Sequence, residues 1–180
     1  MKKALIFITI TVLAGAAGFS LQQYLTPDTG AVAEVNPIIG QPRPEFAMLD
    51  LDGKLRNIKE WDGQVVLLNF WATWCPPCMR EIPGFIEVQH ELSGQGFQVL
   101  GVAVDNEDAV REFAGANHVN YPLLPGETDA IELGGKYGNQ YGVLPYSVII
   151  DKNGNVSNTI TGELGKTRLK SMLKQLGLRV

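Results

Sequence analysis

Short, mostly apolar runs alternate along this chain with longer segments in which apolar residues recur every three to four positions. The runs at Gln64–Phe70 and Phe97–Val104 predict strands buried on both faces of a central sheet, because a strand with one solvated face would alternate. The segments at Glu107–Asn117 and Lys166–Leu176 predict amphipathic helices. A chain that alternates strands with helices in this way is typical of the α/β fold class.

Two dipeptides, Asp52-Gly53 and Asn153-Gly154, each lie between two short apolar runs. Asp-Gly and Asn-Gly are the strongest short-range signals for a two-residue β-hairpin turn. We therefore expect two hairpins. The first pairs Phe46–Leu49 with Leu55–Ile58, and the second pairs Ser147–Ile150 with Val156–Ile160. A further helix is expected between them at Glu127–Tyr137.

The N-terminal segment opens with Lys2–Lys3, and an almost entirely apolar run follows from Ala4 to Leu21. Positive charge followed by an apolar run is the pattern of a signal sequence. The run of about 18 residues reaches the lower limit for crossing a bilayer, which favours an uncleaved anchor at residues 1–25 with its lysines in the cytoplasm. Small-residue patterns nearby leave open a cleavage that would release a soluble periplasmic form.

The rest of the chain divides into a linker and one domain. Residues 26–44 are rich in Pro, Gly, Ala and Thr without apolar periodicity, which predicts a linker. Residues 45–180 suffice for one domain with its own core. The formal net charge is −4 and no basic stripe is interleaved with aromatic residues, so nucleic acid is not an expected partner.

The chemistry of the chain centres on Cys75 and Cys78, its only two cysteines, which lie in the motif Trp74–Cys78 directly after a predicted strand. Residues three apart on a helix share one face, so the two sulfurs can alternate between dithiol and disulfide. The helix is expected to run to about Leu92. At its N-terminus the positive end of the dipole would favour a Cys75 thiolate, which makes Cys75 the predicted attacking thiol and Cys78 the resolving one.

Other uses of a Cys-x-x-Cys pair fit less well, with one exception. A zinc site needs about four ligands, and the chain offers only His90 and His118 besides the pair. Haem attachment would need His after Cys78, where the chain has Met79. A purely structural disulfide or a peroxiredoxin-like peroxide reductase is also disfavoured. A copper-site assembly factor or Cu(I)-binding chaperone remains the alternative, since two thiolates can hold this soft ion.

The segment Val65–Pro83, together with Tyr141–Pro145 and the strand at Ser147–Asp151, resembles membrane-tethered thioredoxin-like proteins of the TlpA, ResA and CcmG (DsbE) type. The resemblance covers roughly Asn36 to Leu178. It implies a thioredoxin-like fold, in which a mixed central sheet is flanked by helices and an N-terminal β-hairpin is added. It also implies a thiol-disulfide oxidoreductase without cofactor or metal.

The same resemblance implies a location and partners. The protein would lie at the periplasmic face of the bacterial inner membrane, held by its N-terminal anchor. Its substrates would be disulfides of exported proteins, such as those in apocytochrome c. A transmembrane electron donor of DsbD or CcdA type would keep the cysteine pair reduced.

The resemblance implies roles for Pro145, Leu144 and Glu81, and the position of Trp74 beside Cys75 adds a fourth site residue. Pro145 is expected to be cis and to lie opposite the cysteine pair, where the backbone of Leu144 would pair with a substrate segment. Glu81, one helical turn after Cys78, would tune the cysteines or relay their protons, unless it is an ordinary solvated helix residue. Trp74 would contact the substrate through exposed aromatic surface.

Two positions depart from the family pattern. Asn69 stands where many thioredoxins have a buried aspartate, and an amide cannot accept and return a proton at neutral pH. Tyr146 follows the proline where relatives often have Thr, and two roles are open for it, contact with substrate or packing in the core.

Overall fold

The computed structural model of the protein describes residues 36–180. The predicted anchor at residues 1–25 and the first part of the predicted linker lie outside the described residues. Within residues 36–180, no helix combines the length and the apolar character needed to cross a membrane.

A five-stranded mixed sheet forms the centre of the fold, in the order β5-β4-β3-β6-β7. Strands β3, β4 and β5 are parallel, whereas β6 runs antiparallel to both β3 and β7. The mixed sheet confirms the predicted fold class. The strand bounds are β3 Val65–Trp71, β4 Phe97–Ala103, β5 Leu123–Pro125, β6 Tyr146–Ile150 and β7 Val156–Thr161.

Four α-helices cover the sheet: α1 Pro76–Leu92, α2 Glu107–Asn117, α3 Glu127–Lys136 and α4 Lys166–Gln175. Short 3-10 helices occur at Ile58–Trp61 and Ser93–Gln95. Alternate residues of β3 supply two separate apolar clusters. Val65 and Leu67 pack with residues of α1, α2 and α4, whereas Val66 and Leu68 pack with α3 and the first 3-10 helix. The central strands are therefore buried on both faces, as their mostly apolar sequence predicts.

The N-terminal hairpin consists of β1, Ala47–Leu49, and β2, Leu55–Asn57, which pair antiparallel in a sheet of their own. Five residues connect β1 to β2 and five connect β6 to β7, as the predicted strand bounds imply, so each loop is wider than the two-residue turn that Asp-Gly and Asn-Gly favour. In both loops an aspartate, Asp50 or Asp151, accepts hydrogen bonds from the backbone N–H groups two and four positions later. Gly53 and Gly154 supply the positive φ that the wider loop requires.

Residues 36–44, the C-terminal part of the predicted linker, belong to the folded domain. The Gly40 N–H donates to Val156 O at 2.8 Å, and the Val156 N–H donates to Gln41 O at 2.9 Å. The Arg43 N–H donates to Gly154 O at 2.8 Å. Backbone hydrogen bonds, rather than a periodic apolar face, hold this segment, which explains why its sequence has the composition of a linker.

Candidate active site

The cysteine pair lies at the junction of β3 and α1. Cys75 is the N-cap of α1, in an extended conformation, and its Sγ accepts the Cys78 N–H at 3.4 Å. Pro76 and Pro77 occupy the first turn, where a helix needs no N–H donor. The two cysteines are joined by a disulfide bond, with their Cα atoms 5.3 Å apart. The predicted start of the helix at the cysteine pair is therefore confirmed.

The surroundings of the disulfide are asymmetric. Cys75 retains 4% of its surface exposed, whereas Cys78 is fully buried. Trp74, directly before Cys75, is 66% exposed, while Trp71 packs in the core. Cys75, beside the exposed Trp74, is therefore the more accessible sulfur of the pair.

The loop between β3 and α1 is held by the end of β4. Asp105 Oδ2 accepts both the Thr73 N–H at 3.0 Å and the Thr73 hydroxyl at 2.5 Å. Asp105 Oδ1 accepts the N–H and the side-chain amide of Asn106, at 2.9 and 3.3 Å. This nearly buried carboxylate thus fixes a residue two positions before Cys75.

The loop before β6 reaches the same end of the sheet. Tyr146 pairs with Phe70 in the register of β6 and β3, which places Pro145 beside the end of β3. The Leu144–Pro145 peptide bond is cis, which confirms the prediction. Pro145 O accepts the Gly162 N–H at 2.8 Å, but the N–H and C=O of Leu144 have no hydrogen-bond partner among residues 36–180. Leu144 therefore has an unpaired backbone donor and acceptor at the end of the sheet where β3 leads into the cysteine-bearing helix.

Tyr146 is a core residue, only 2% exposed. Its hydroxyl donates to Tyr137 O at 2.9 Å and accepts a hydrogen bond from Asn36 Nδ2 at 2.9 Å. Of the two roles that the sequence left open for this residue, the structure supports packing rather than contact with substrate.

Glu81 is buried beneath the site, with 2% of its surface exposed, so it is not a solvated helix residue. Its Oε1 accepts from Asn69 Nδ2 at 2.8 Å, and its Oε2 accepts from the Leu164 N–H at 2.7 Å. Burial raises the pKa of the Glu81 carboxyl to about 7; the two hydrogen bonds oppose this shift, and the negative charge of Glu163 adds to it. A carboxyl with this pKa changes protonation near neutral pH.

The sequence analysis did not predict two members of this hydrogen-bond network, Ser147 and Leu164. Asn69 Nδ2 also donates to Ser147 Oγ at 3.0 Å, and Asn69 is paired with Ser147 in the sheet register. Asn69 and Ser147 are each a polar residue within a mostly apolar strand, and this shared feature is the sequence signal that could have linked them. Leu164 contributes only its backbone N–H, which no side-chain pattern reveals.

The described residues include no group of three or more His, Cys, Asp or Glu side chains arranged to hold a metal ion. His90 and His118 are both exposed, and His118 is the C-cap of α2. Neither histidine is a constituent of the site around the disulfide.

A mixed sheet of this order, with a Cys-x-x-Cys disulfide at the start of α1 and a cis-proline directly before β6, defines the class of thioredoxin-like thiol-disulfide oxidoreductases. The model of the AhpC/TSA family matches residues 39–159, and the chain belongs to this family. It is 36% identical over 180 residues to the thiol-disulfide oxidoreductase ResA of Bacillus anthracis, an alignment that covers 97% of this chain and 98% of the relative. ResA of Geobacillus thermodenitrificans is 32% identical, with 94% and 92% covered.

Solved structures agree with this assignment. A thiol:disulfide interchange protein of the thioredoxin family from Chlorobium tepidum superposes with a TM-score of 0.68 and 31% identity, covering 75% of this chain and 94% of its own. The protein described here is accordingly a thiol-disulfide oxidoreductase of the ResA type.

Proposed function

We propose that this protein is a membrane-tethered periplasmic reductant, which reduces disulfides of exported proteins such as apocytochrome c through a dithiol-disulfide cycle of Cys75 and Cys78. The observation that carries the proposal is the position of Cys75 as N-cap of α1, where its Sγ accepts the Cys78 N–H at 3.4 Å. That N–H and the helix dipole stabilise negative charge on the attacking sulfur.

The reaction proceeds in two exchanges. The Cys75 thiolate attacks one sulfur of the substrate disulfide, which forms a mixed disulfide and releases one substrate thiolate. The Cys78 thiol then loses its proton and attacks Cys75 Sγ, which releases the second substrate thiolate and closes the Cys75–Cys78 disulfide. Two electrons pass to the substrate, and a membrane donor of DsbD or CcdA type returns them to the pair.

Three neighbouring residues assist this cycle. The unpaired backbone of Leu144, before cis-Pro145, hydrogen-bonds the extended substrate segment as an added strand. Trp74 packs on the bound segment with its exposed indole. Glu81 accepts the proton of Cys78, because its pKa of about 7 suits proton exchange with a thiol near neutral pH.

The location rests on the order of charge and apolar residues at the start of the chain. Lys2–Lys3 precede the apolar run from Ala4 to Leu21, which favours retention of the lysines in the cytoplasm and export of the domain. Fractionation of cells, with protease added to spheroplasts, tests this part of the proposal independently of the chemistry.

The reduction potential of the Cys75–Cys78 pair tests the direction of transfer. A value near about −270 mV, as in thioredoxin, supports a reductant, whereas a value near about −120 mV, as in DsbA, would make the protein an oxidant. Cys75→Ser is expected to abolish disulfide reduction, and Cys78→Ser to trap the mixed disulfide. Tight stoichiometric Cu(I) binding by the reduced protein, without disulfide reduction, would replace the proposal with the copper-chaperone alternative.

A further inference from the structure

The loop that leads to the cis-proline presents an exposed aromatic residue. We define the Tyr141 loop as residues 139–144, between the end of α3 and β6. Tyr141 is 93% exposed and Val143 is 42% exposed, so two large apolar side chains lie at the surface of this one loop. Three residues separate Tyr141 from Pro145, and the unpaired backbone of Leu144 lies between them.

The base of the Tyr141 loop is closed by one side chain. Asn139 Oδ1 accepts the Val143 N–H at 3.0 Å, and Asn139 Nδ2 donates to Val143 O at 2.9 Å. Asn139 is only 8% exposed, so these two bonds are largely shielded from water. Gly142 supplies a positive φ of 61° in the tight return of the chain. The loop thus has a fixed conformation although its tip is exposed.

A second set of contacts anchors the residues on either side of the loop. The Tyr146 hydroxyl donates to Tyr137 O, which ties the residue after cis-Pro145 to the end of α3. Asn36 Nδ2 donates to both Tyr146 Oη and Gly138 O, at 2.9 and 3.3 Å. These bonds fix the entrance and exit of the loop, so the position of its tip relative to Leu144 is set before any substrate binds.

An exposed aromatic residue on a loop with a fixed backbone, close in the chain to the unpaired backbone of Leu144, suits recognition of a polypeptide. Tyrosine gives a large contact area at a small cost in conformational entropy, and a preorganised loop lowers that cost further. We propose that Tyr141 is a specificity-determining residue, which packs on an apolar or aromatic side chain that flanks the cysteine of a polypeptide substrate paired with Leu144. This inference rests on the proposed function, since it concerns the substrate of the same site.

The polypeptide is the occupant that the observations favour, because the Tyr141 loop is continuous with the backbone groups of Leu144 that an extended chain can pair with. A small disulfide such as glutathione disulfide has too little backbone to occupy Leu144 and the Tyr141 loop together. The test therefore compares disulfides that differ in the length of their peptide backbone and in the side chain next to the disulfide.

The experiment measures single-turnover reduction by the full-length reduced protein in detergent micelles. Three disulfides are used: a peptide with Phe next to its disulfide loop, the same peptide with Ser there, and glutathione disulfide. Tyr141→Ala is expected to lower the second-order rate constant for the Phe peptide about five- to tenfold, and to leave the other two unchanged. Tyr141→Phe, which keeps the ring, is expected to retain the wild-type rate.

Leu55→Ala is the matched control, because Leu55 is 62% exposed but lies on the β1–β2 hairpin. Equal rates of wild type and Tyr141→Ala with the Phe peptide would overturn the inference, as would an equal loss with all three disulfides. A change in oligomeric state of Tyr141→Ala with no change in rate would also overturn it, and would assign the loop to self-association. Failure of the wild type to reduce any of the three disulfides would instead refute the proposed function.

Discussion

Asn69 donates a hydrogen bond to the buried carboxylate of Glu81 across 2.8 Å, and so joins the central strand β3 to the helix that carries both cysteines. The other carboxylate oxygen accepts the Leu164 N–H at 2.7 Å, from the segment before α4. Glu81 is therefore held from two sides in one orientation. Its carboxyl is both held in place and titratable near neutral pH.

The titration of Glu81 should appear in the pH dependence of stability. Its pKa is raised from 4.5 to about 7 in the folded protein, so the folded state binds more protons than the unfolded state between these values. Stability therefore falls as pH rises from about 4.5 to about 7, by about 3 kcal/mol at about 1.4 kcal/mol per pH unit. Glu81→Gln removes this loss, so its stability relative to wild type should increase over that interval.

Urea unfolding of the two oxidised proteins at several pH values between about 4 and 8 measures the difference. Glu91→Gln is a suitable control, because Glu91 is exposed and its pKa is lowered by its hydrogen bond with Lys170. If the difference in free energy of unfolding between Glu81→Gln and wild type stays constant over the whole pH range, Glu81 ionises with an ordinary pKa.

An exchange of the two side chains tests whether a carboxyl is needed for the resolving step. Glu81→Gln alone is expected to slow resolution of the mixed disulfide at least about tenfold, because the proton acceptor for Cys78 is lost. The double variant Asn69→Asp/Glu81→Gln returns a carboxyl to the pair, and its hydrogen bonds can still be satisfied. The introduced aspartate would accept from the introduced glutamine amide and from the Ser147 hydroxyl, while the glutamine oxygen would accept the Leu164 N–H.

Partial recovery of the rate in the double variant, measured by rapid acid quench of the mixed disulfide, is the expected result. The pH at which the rate reaches half its maximum should shift as well, because the carboxyl has a new environment. A wild-type rate in Glu81→Gln would leave proton removal from Cys78 to water and assign Glu81 a structural role.

The contact between Thr73 and Asp105 should contribute to stability and not only to the shape of the active-site loop. Asp105→Ala removes an acceptor of four hydrogen bonds, and is expected to lower the free energy of unfolding by about 2 to 3 kcal/mol. Thr73→Val retains the backbone bond and loses only the hydroxyl bond, at a cost of about 1 to 2 kcal/mol. Thr167→Val, at an exposed position of α4, should change little.

The double variant Thr73→Val/Asp105→Ala completes the cycle. Because both changes remove the same hydroxyl bond, the combined loss should be smaller than the sum of the single losses. Strict additivity, measured by urea unfolding of the oxidised proteins, would mean that the hydroxyl bond adds nothing to stability.

Local sequence signals predicted the elements of the fold well. The bounds of α2 agree with the prediction at Glu107 and Asn117, because Asn106 caps the helix through its side chain, which accepts the Ala109 N–H. The site was also predictable where it depends on neighbours in the chain, since Pro76 and Pro77 mark the helix start that places Cys75 as N-cap.

Features that depend on distant partners could not be predicted. The buried carboxylate of Glu81 accepts a hydrogen bond from the N–H of Leu164, which is 83 residues away in the chain. The spacing between Cys78 and Glu81 alone therefore could not distinguish a buried carboxyl from a solvated one. The sequence of residues 36–44 predicts a linker because it has no apolar periodicity, whereas the backbone hydrogen bonds with Gly154 and Val156 that hold this segment leave no pattern in the sequence. The two-residue turns that Asp52-Gly53 and Asn153-Gly154 favour do not form, because the side chains of Asp50 and Asp151 bind backbone N–H groups of a wider loop.

The contact between Asn36 and Gly138 should make glycine indispensable at position 138. Gly138 has a φ of +94°, and a Cβ there would lie 2.3 Å from Asn36 Nδ2, so Gly138→Ala meets both backbone strain and a steric clash. Gly53→Ala is the matched control, because Gly53 has a φ of +75° and its added Cβ would meet no atom within 4 Å. We expect Gly53→Ala to cost about 1 to 2 kcal/mol in urea unfolding and Gly138→Ala clearly more, with Asn36→Ala recovering part of the excess. Equal losses in the two glycine variants would show that Asn36 moves aside freely and does not fix the start of the Tyr141 loop.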